Sequence, residues 1–405
     1  MMIDKAFSSI VDVIAKGYKE VMEGERTLNQ VSAYWIKQNS EWNAINRGFF
    51  AETLMEVVRW DRVLDTCVNK TLDINSNDSY RLKILTYLLV KSNDKRVDEF
   101  FSPSLQNDIN RCYQQLQSER TIAESIPNWL DSLGESELGD KWAYEIKALN
   151  TLPPIVLRVN TMKTSKNDLL KRLTTEGFQA SGLNQPDALI LTKRADIFKS
   201  KAFFDGHFEI QDASSQLVAP FLDVMPGMRV VDACAGHGGK TLHIASLMKN
   251  KGKILALDNA DWKLDELMKR SARAGITIIE TRPITTTKVV KRLKDKADRL
   301  LLDVPCSGLG VLRRNPDSKW RLSAEKINEI RTLQAYILDK YTQMVKPGGK
   351  FVYSTCSILP SENQQQIQSF LARTNGTFSL EEEKIISPSE SGFDGFYMAR
   401  LAKIK

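Results

Sequence analysis

LLLDVPCSGLG, Leu300 to Gly310, is the stretch from which the fold of this chain can be read. Three leucines, an acid and then a proline describe a short strand of a parallel sheet. Such a strand is apolar on both faces because both are covered, and proline cannot continue its hydrogen-bond ladder. In open α/β sheets ligands lie beyond the carboxyl ends of the strands, so Asp303 and Cys306 are both expected to face a ligand crevice. A cysteine alone in such a turn is ordinary packing, and its neighbours must decide whether it is more.

On either side of this stretch, strand and helix patterns alternate. DASSQLVAPFL (Asp212 to Leu222) suits a helix that leads into the domain. Strands are expected at Met228 to Asp232, Lys253 to Asp258, near Thr277 to Glu280, at Arg299 to Asp303 and at Lys350 to Ser354. Helices are expected at Lys240 to Met248, Trp262 to Ala274 and Ser323 to Met344. That order predicts a doubly wound, Rossmann-like α/β domain over residues 206–405. Upstream, Leu152-Pro153-Pro154 forms a rigid joint that disfavours helix on its near side. The strand IVLRVN (Ile155 to Asn160), a helix from Ser165 to Phe178 capped by Ser165, and the strand ALILTK (Ala188 to Lys193) then make a small α+β segment over 151–205. Residues 1–150 read as all-α: Ile3, Phe7, Ile10, Val11, Ile14, Tyr18 and Val21 recur every three or four positions.

With 405 residues and 42% hydrophobic composition, the chain can bury a large core divided among two or three domains. A net charge of +7 favours an anionic partner. The five cysteines, Cys67, Cys112, Cys234, Cys306 and Cys356, are odd in number and scattered, which fits neither a disulfide framework nor a zinc site. No apolar run is long enough for a bilayer, and the first residues mix charge with helical spacing, unlike a signal peptide. A reducing cytoplasm, no membrane and no metal are expected, and a monomer is assumed.

The first strand of the α/β domain runs into VVDACAGHGGKT (Val230 to Thr241), a glycine-rich turn before a helix where backbone amides can approach a ligand. A P-loop would need glycine where Cys234 stands, and a dinucleotide fingerprint would need a small residue where Thr241 stands. A turn that starts with Asp232, and a second strand that ends in Asp258, suit a ligand with an amino-acid part and a ribose. S-adenosylmethionine meets that description, with Asp258 accepting the ribose hydroxyls.

The fifth strand carries a second thiol to the same sheet edge, in FVYSTCSILPSEN (Phe351 to Asn363). Two thiols beside a methyl donor point to one chemistry. C5 of a pyrimidine is a weak nucleophile until a thiolate adds at C6 and makes an enamine-like adduct, and loss of the C5 proton then expels the thiolate. Cys306 and Cys356 are both candidates, with Lys240 supplying positive field. Asp303, if protonated, would donate a hydrogen bond to the ring.

DACAGHGGKT, DVPCSGLGVLRRNPDSKW, STCSILPSEN and the closing GFDGFYMARL resemble, in order and spacing, the Nop/Sun family of RNA cytosine-C5 methyltransferases, above all its members that act on 16S ribosomal RNA. QDASSQLVAP (Gln211 to Pro220) and LRVNTMKTS (Leu157 to Ser165) extend the resemblance, and NRGFFAETLMEVVRW (Asn46 to Trp60) is similar to part of a NusB-like RNA-positioning helical domain. The resemblance implies that Cys356 is the nucleophile and Cys306 assists release of the product. It also implies that Asp303 and Lys240 contact base or cofactor, and that Cys234, Ala235, Gly236, His237, Gly238, Gly239, Lys240 and Asp258 line the S-adenosylmethionine site. In two places the sequence departs from the family pattern: His237 replaces the usual proline, and ETRPITTT (Glu280 to Thr287) lacks the acid expected beside the adenine.

RNA is the expected partner. Arg158, Lys163, Lys171, Arg313, Arg314 and Lys319 are candidate phosphate contacts, as are Lys288, Lys291, Arg292, Lys294 and Lys296, which also suit a solvated helix face. The alternatives are a transfer RNA substrate and an assembly factor that binds RNA without methyl transfer.

Overall fold

The computed structural model describes residues 5–72, 79–284, 286 and 288–404. The chain divides into two compact units, Met1–Thr151 with Leu312–Ala324, and Leu152–Val311 with Glu325–Lys405.

The first unit is helical, as its periodicity predicts. Along Lys5–Glu23 the residues Phe7, Ile10, Val11, Ile14, Tyr18 and Val21 are all buried; Ile3 lies outside the described residues. They pack with Val31, Phe50, Leu54, Leu64, Ile84, Leu88 and Ile109 from helices Leu28–Gln38, Ala44–Arg59, Asp61–Thr71, Ser79–Val90 and Pro103–Gln115. One helix start shows how side chains replace missing backbone partners. Thr27 accepts from Gln30 N while Gln30 reaches back to the Thr27 backbone, and the Leu28 amide donates to Asp317 at 3.1 Å.

That last bond belongs to a segment which the sequence placed in the α/β domain. Leu312–Ala324 packs with the helices: Trp320 Nε1 donates to Val58 O at 2.7 Å, and Arg59 Nη2 to Arg313 O at 2.8 Å. A short excursion with no periodic pattern gives a linear reading nothing to assign it by.

The second unit holds two sheets. In the smaller, β1 (Val156–Val159), β2 (Ala180–Gly182), β3 (Ala188–Leu191) and β4 (Phe208–Ile210) pair antiparallel in the order β2-β3-β1-β4. The Lys166–Thr175 helix packs Leu169 and Leu173 against Leu157, Leu189 and Phe208, and Ser165 caps it, accepting from Asp168 N at 3.2 Å.

The larger sheet has seven strands, β5 (Arg229–Asp232), β6 (Lys253–Asp258), β7 (Ile279–Pro283), β8 (Ala297–Asp303), β9 (Val345–Thr355), β10 (Phe378–Ile386) and β11 (Phe396–Lys403), in the order β10-β11-β9-β8-β5-β6-β7. β5 to β9 run parallel, and β11 is antiparallel to both β9 and β10. The five expected strands are all present, the third shifted toward Pro283. β10 and β11 were not expected, and the helix expected over Asp212 to Leu222 is two short turns, Ala213–Gln216 and Val218–Phe221. The direction of winding reverses between β5 and β8, and at such a switch point the connections diverge and leave a crevice.

Candidate active site

The crevice is built from the bottom by the glycine turn. After β5 the chain turns through Gly236 and Gly238, both at positive φ (+53° and +84°), and enters the Gly239–Leu247 helix. At Gly238 a Cβ would lie 2.4 Å from Leu267 Cγ, so only glycine lets the turn close on the next helix, whereas at Gly236 a Cβ would meet nothing within 4 Å. The Gly236 amide donates to Asp258 Oδ2 at 2.8 Å, and the Ala260 amide to Oδ1 at 3.0 Å. Asp232 is buried at the root of the turn and accepts from Thr241 Oγ1 at 2.7 Å. Burial lifts its carboxyl to about 7 against that hydrogen bond.

Above the turn lies a cavity of about 340 Å³. Ala233, Cys234, Gly236 and Asp258 form one side, Asp303, Val304 and Pro305 another, and Ile284, Leu333, Ile337 and Tyr341 an apolar wall. Asn259 and Lys263 stand at its rim, with Lys263 Nζ 3.9 Å from Asp258. Sequence reading missed these last six residues. Leu333, Ile337 and Tyr341 recur every four positions on the Ala324–Tyr341 helix, a spacing that signals a buried face without saying what it faces.

The two thiols meet. β8 and β9 are parallel neighbours with Asp303 opposite Ser354, so the turns that leave them carry Cys306 and Cys356 to an Sγ–Sγ separation of 3.3 Å. Asp303 accepts on both oxygens, from Lys240 Nζ at 2.6 Å and Ser354 Oγ at 2.9 Å. In this arrangement Lys240 is the donor of the pair. Burial works against the Lys240 ammonium, but Asp303 outweighs it and, with a contribution from Cys356, holds the lysine pKa above its ordinary value. The hydrogen bond to Cys356, then burial, push the Cys306 thiol well up. His237 is exposed and packs edge-on against Trp262, ring centroids 5.1 Å apart. In ETRPITTT, Ile284 fills the cavity wall, and Thr285 and Thr287 lie outside the described residues.

Several expected phosphate contacts are spent inside the protein. Arg158 is buried and donates to Gln211 and to Gly239 O, and burial lowers its pKa to about 10. Lys163 is exposed, but its ammonium donates to the carbonyls of Asp205 and Arg273 at 2.8 and 2.6 Å. Arg313 and Lys319 are buried in the helical unit, where Arg313 donates to Ala148 O at 3.1 Å, and Arg314 is half-buried beside them. Charge in the sequence marks Arg158, Arg313 and Lys319 as surface; their burial among tertiary partners overrules it. Lys171, Lys288, Lys291, Arg292, Lys294 and Lys296 are exposed.

Residues 219–402 match the family described as 16S rRNA methyltransferase RsmB/F, and residues 126–198 match its ferredoxin-like domain. The chain is 31% identical over 316 residues to ribosomal RNA small subunit methyltransferase B of Pseudomonas syringae pv. tomato, covering 74% of this chain and 70% of that protein. The chain belongs to the RsmB/F methyltransferase family. A probable ribosomal RNA small subunit methyltransferase B of Synechocystis is 36% identical over 69% of this chain and 67% of its own length. A solved methyltransferase homologue from Pyrococcus horikoshii superposes with a TM-score of 0.63 at 28% identity, covering 75% of this chain and all of that one.

As in other RsmB/F enzymes, the seven-stranded domain is a Rossmann-like methyltransferase domain, and its cofactor is S-adenosylmethionine. The cavity fits that molecule: a carboxylate at the end of β6 for a ribose, an apolar wall for an adenine, and open space above Gly236 that a side chain would fill. Among the described residues no cluster of His, Cys, Asp and Glu could hold a metal ion, and no helix is long and apolar enough to cross a membrane.

Proposed function

We propose that this RsmB/F-family chain methylates C5 of a cytosine in 16S ribosomal RNA, with Cys356 as the attacking thiolate. The observation that carries the reading is the pair of thiols 3.3 Å apart at the adjoining ends of β8 and β9, beside the Lys240–Asp303 ion pair and next to the proposed cofactor cavity. Bound S-adenosylmethionine would supply an electrophilic methyl group, held by Asp258, the Cys234–Gly239 turn and the apolar wall of Ile284 and Ile337.

The protein's own groups account for the remaining chemistry. Cys356 adds to C6 of the base, forming the S–C6 bond and moving ring electrons toward C5 and N3. Lys240, partly buried and next to Cys356, offsets the negative charge that develops. C5 takes the methyl group and then gives its proton to solvent; the C5–H electron pair restores the C5–C6 double bond as the S–C6 electron pair returns to sulfur. Cys306 touches Cys356 and stands where it can assist that release. The base must be unpaired or flipped out to reach the thiols. The exposed lysines and arginine from Lys288 to Lys296 suit phosphate contacts, which would make affinity fall with salt.

Wild type, Cys356→Ala and Cys306→Ala incubated with labelled S-adenosylmethionine and undermodified small-subunit RNA test this directly. The wild type should yield C5-methylcytosine, and neither variant should turn over. Methylation of transfer RNA alone, or RNA binding without transfer to naked RNA or assembly intermediates, would replace this reading with one of its rivals.

A further inference from the structure

Glu362 lies in the turn Pro360–Glu362 after β9 and is fully buried. Its Oε1 accepts from the Ser307 amide at 2.8 Å and from Gln334 Nε2 at 3.0 Å, and its Oε2 accepts from the hydroxyls of Ser307 and Ser357. Ser307 follows Cys306 and Ser357 follows Cys356. One carboxylate therefore ties together the two turns that present the thiols. Its own backbone is fixed as well, since Tyr353 donates to Glu362 O at 2.6 Å. On the other side Asn363 Nδ2 donates to Ser357 O at 3.0 Å.

Joining two loops does not by itself require a charge. Ser307 and Ser357 already touch, hydroxyl to hydroxyl, at 3.2 Å, and a buried carboxylate is costly unless donors replace the water it loses. What the charge adds is asymmetry between the two sulfurs. Glu362 takes two hydrogen bonds from Ser307, beside Cys306, against one from Ser357. Its charge adds to the cost of ionising Cys306, behind the hydrogen bond from Cys356 and burial, whereas Lys240, paired with Asp303, interacts with Cys356. Tyr353 also interacts with Cys306, and burial raises its hydroxyl pKa well above the ordinary value.

We propose that Glu362 is a positioning residue that fixes the separation of the two cysteine turns and, acting through Cys306, leaves Cys356 as the nucleophile. This rests on the cytosine-C5 reading above. When the pair loses one proton to solvent, the remaining proton stays on Cys306 and is shared with the Cys356 thiolate; no other bond changes. Two interacting thiols titrate as a pair, and a fixed neighbouring charge decides where the last proton resides.

The first test needs neither RNA nor cofactor. Limiting iodoacetamide, followed by peptide mass spectrometry, gives the ratio of Cys356 to Cys306 alkylation. The wild type should favour Cys356, and Glu362→Gln, which keeps the shape and removes the charge, should move the ratio about tenfold toward Cys306, the equivalent of about one pH unit. Glu362→Asp, which keeps the charge, should retain the preference. A folded Glu362→Gln variant with the wild-type ratio overturns the inference. If Glu362→Gln does not fold, Ser357→Ala serves: it should lower kcat about tenfold with the KM for S-adenosylmethionine and the alkylation ratio unchanged, and an unchanged kcat overturns the positioning role. Failure of the cytosine-C5 reading shows up separately, as absence of product from the wild type.

Discussion

Replacing Gly310 by alanine puts a methyl group where two backbone carbonyls leave no room. The new Cβ would lie 2.3 Å from Gly395 O and 2.8 Å from Cys356 O. Carbon–oxygen contacts settle near about 3.3 Å, so the turn must retreat by about 1 Å. Two hydrogen bonds hold it in place, Gly310 N to Cys356 O at 2.9 Å and Gly395 N to Gly310 O at 2.8 Å. Relief of the clash therefore pulls on the carbonyl of Cys356 itself. Overpacking of this kind costs about 1–3 kcal/mol of stability, and a shift of about 1 Å in a reacting group can cost about 10²-fold in rate. The assay is kcat for methyl transfer to undermodified small-subunit RNA, with S-adenosylmethionine affinity measured in parallel by calorimetry. Affinity should hold, because neither Gly310 nor Gly395 lines the cofactor cavity. A folded Gly310→Ala enzyme within about threefold of the wild-type kcat would refute the claim that this contact fixes Cys356.

Other substitutions probe other parts of the account. Asp258→Ala should weaken S-adenosylmethionine binding by about 10- to 100-fold in calorimetry, the worth of charged hydrogen bonds of about 1.5–3 kcal/mol, with little change in RNA affinity. Asp232, raised to about 7, holds its proton more tightly folded than unfolded, so its contribution to stability is full below about pH 4 and is lost as pH rises to about 7. Urea unfolding of Asp232→Asn should lack that loss, and an unchanged slope between those limits would contradict the assignment. Lys319 is buried, with its pKa driven well down by burial and then by Arg59. Lys319→Met should therefore leave the salt dependence of RNA binding unchanged and should not lower the melting temperature; a shallower salt slope would restore it to the RNA surface.

Much of the α/β domain could be read because its buried parallel strands are short apolar runs ended by turn residues. LLLDVP and VVDACAG define β8 and β5, and their ends place Asp303 and the glycine turn at one sheet edge. β10 could not be read, because FSLEEEKII is largely exposed along its length and carries no alternation that points to a core. β11 was known only as part of a recognised motif. The site divides in the same way. That Cys306 and Cys356 meet follows from strand order, which the sequence narrowed only to a shared sheet edge. Glu362 sits in the quoted motif STCSILPSEN, yet nothing in its spacing reveals a carboxylate that bridges both turns. Arg158, Arg313 and Lys319 show the opposite error, since charged residues read as surface until tertiary partners are known. Tyr341, at the end of the Ala324–Tyr341 helix, and Ile284, just after β7, line the cavity wall at places that no local pattern specifies.

The central claim is that Cys356 forms the bond to the base and Cys306 helps to break it. It is tested most directly by incubating Cys306→Ala with undermodified small-subunit RNA and S-adenosylmethionine, digesting both polymers, and locating any nucleotide left on the protein by mass spectrometry. A methylated cytidine fragment attached to the peptide that contains Cys356 is the predicted result. Full turnover by Cys306→Ala with no adduct, or an adduct on any other residue, would contradict it.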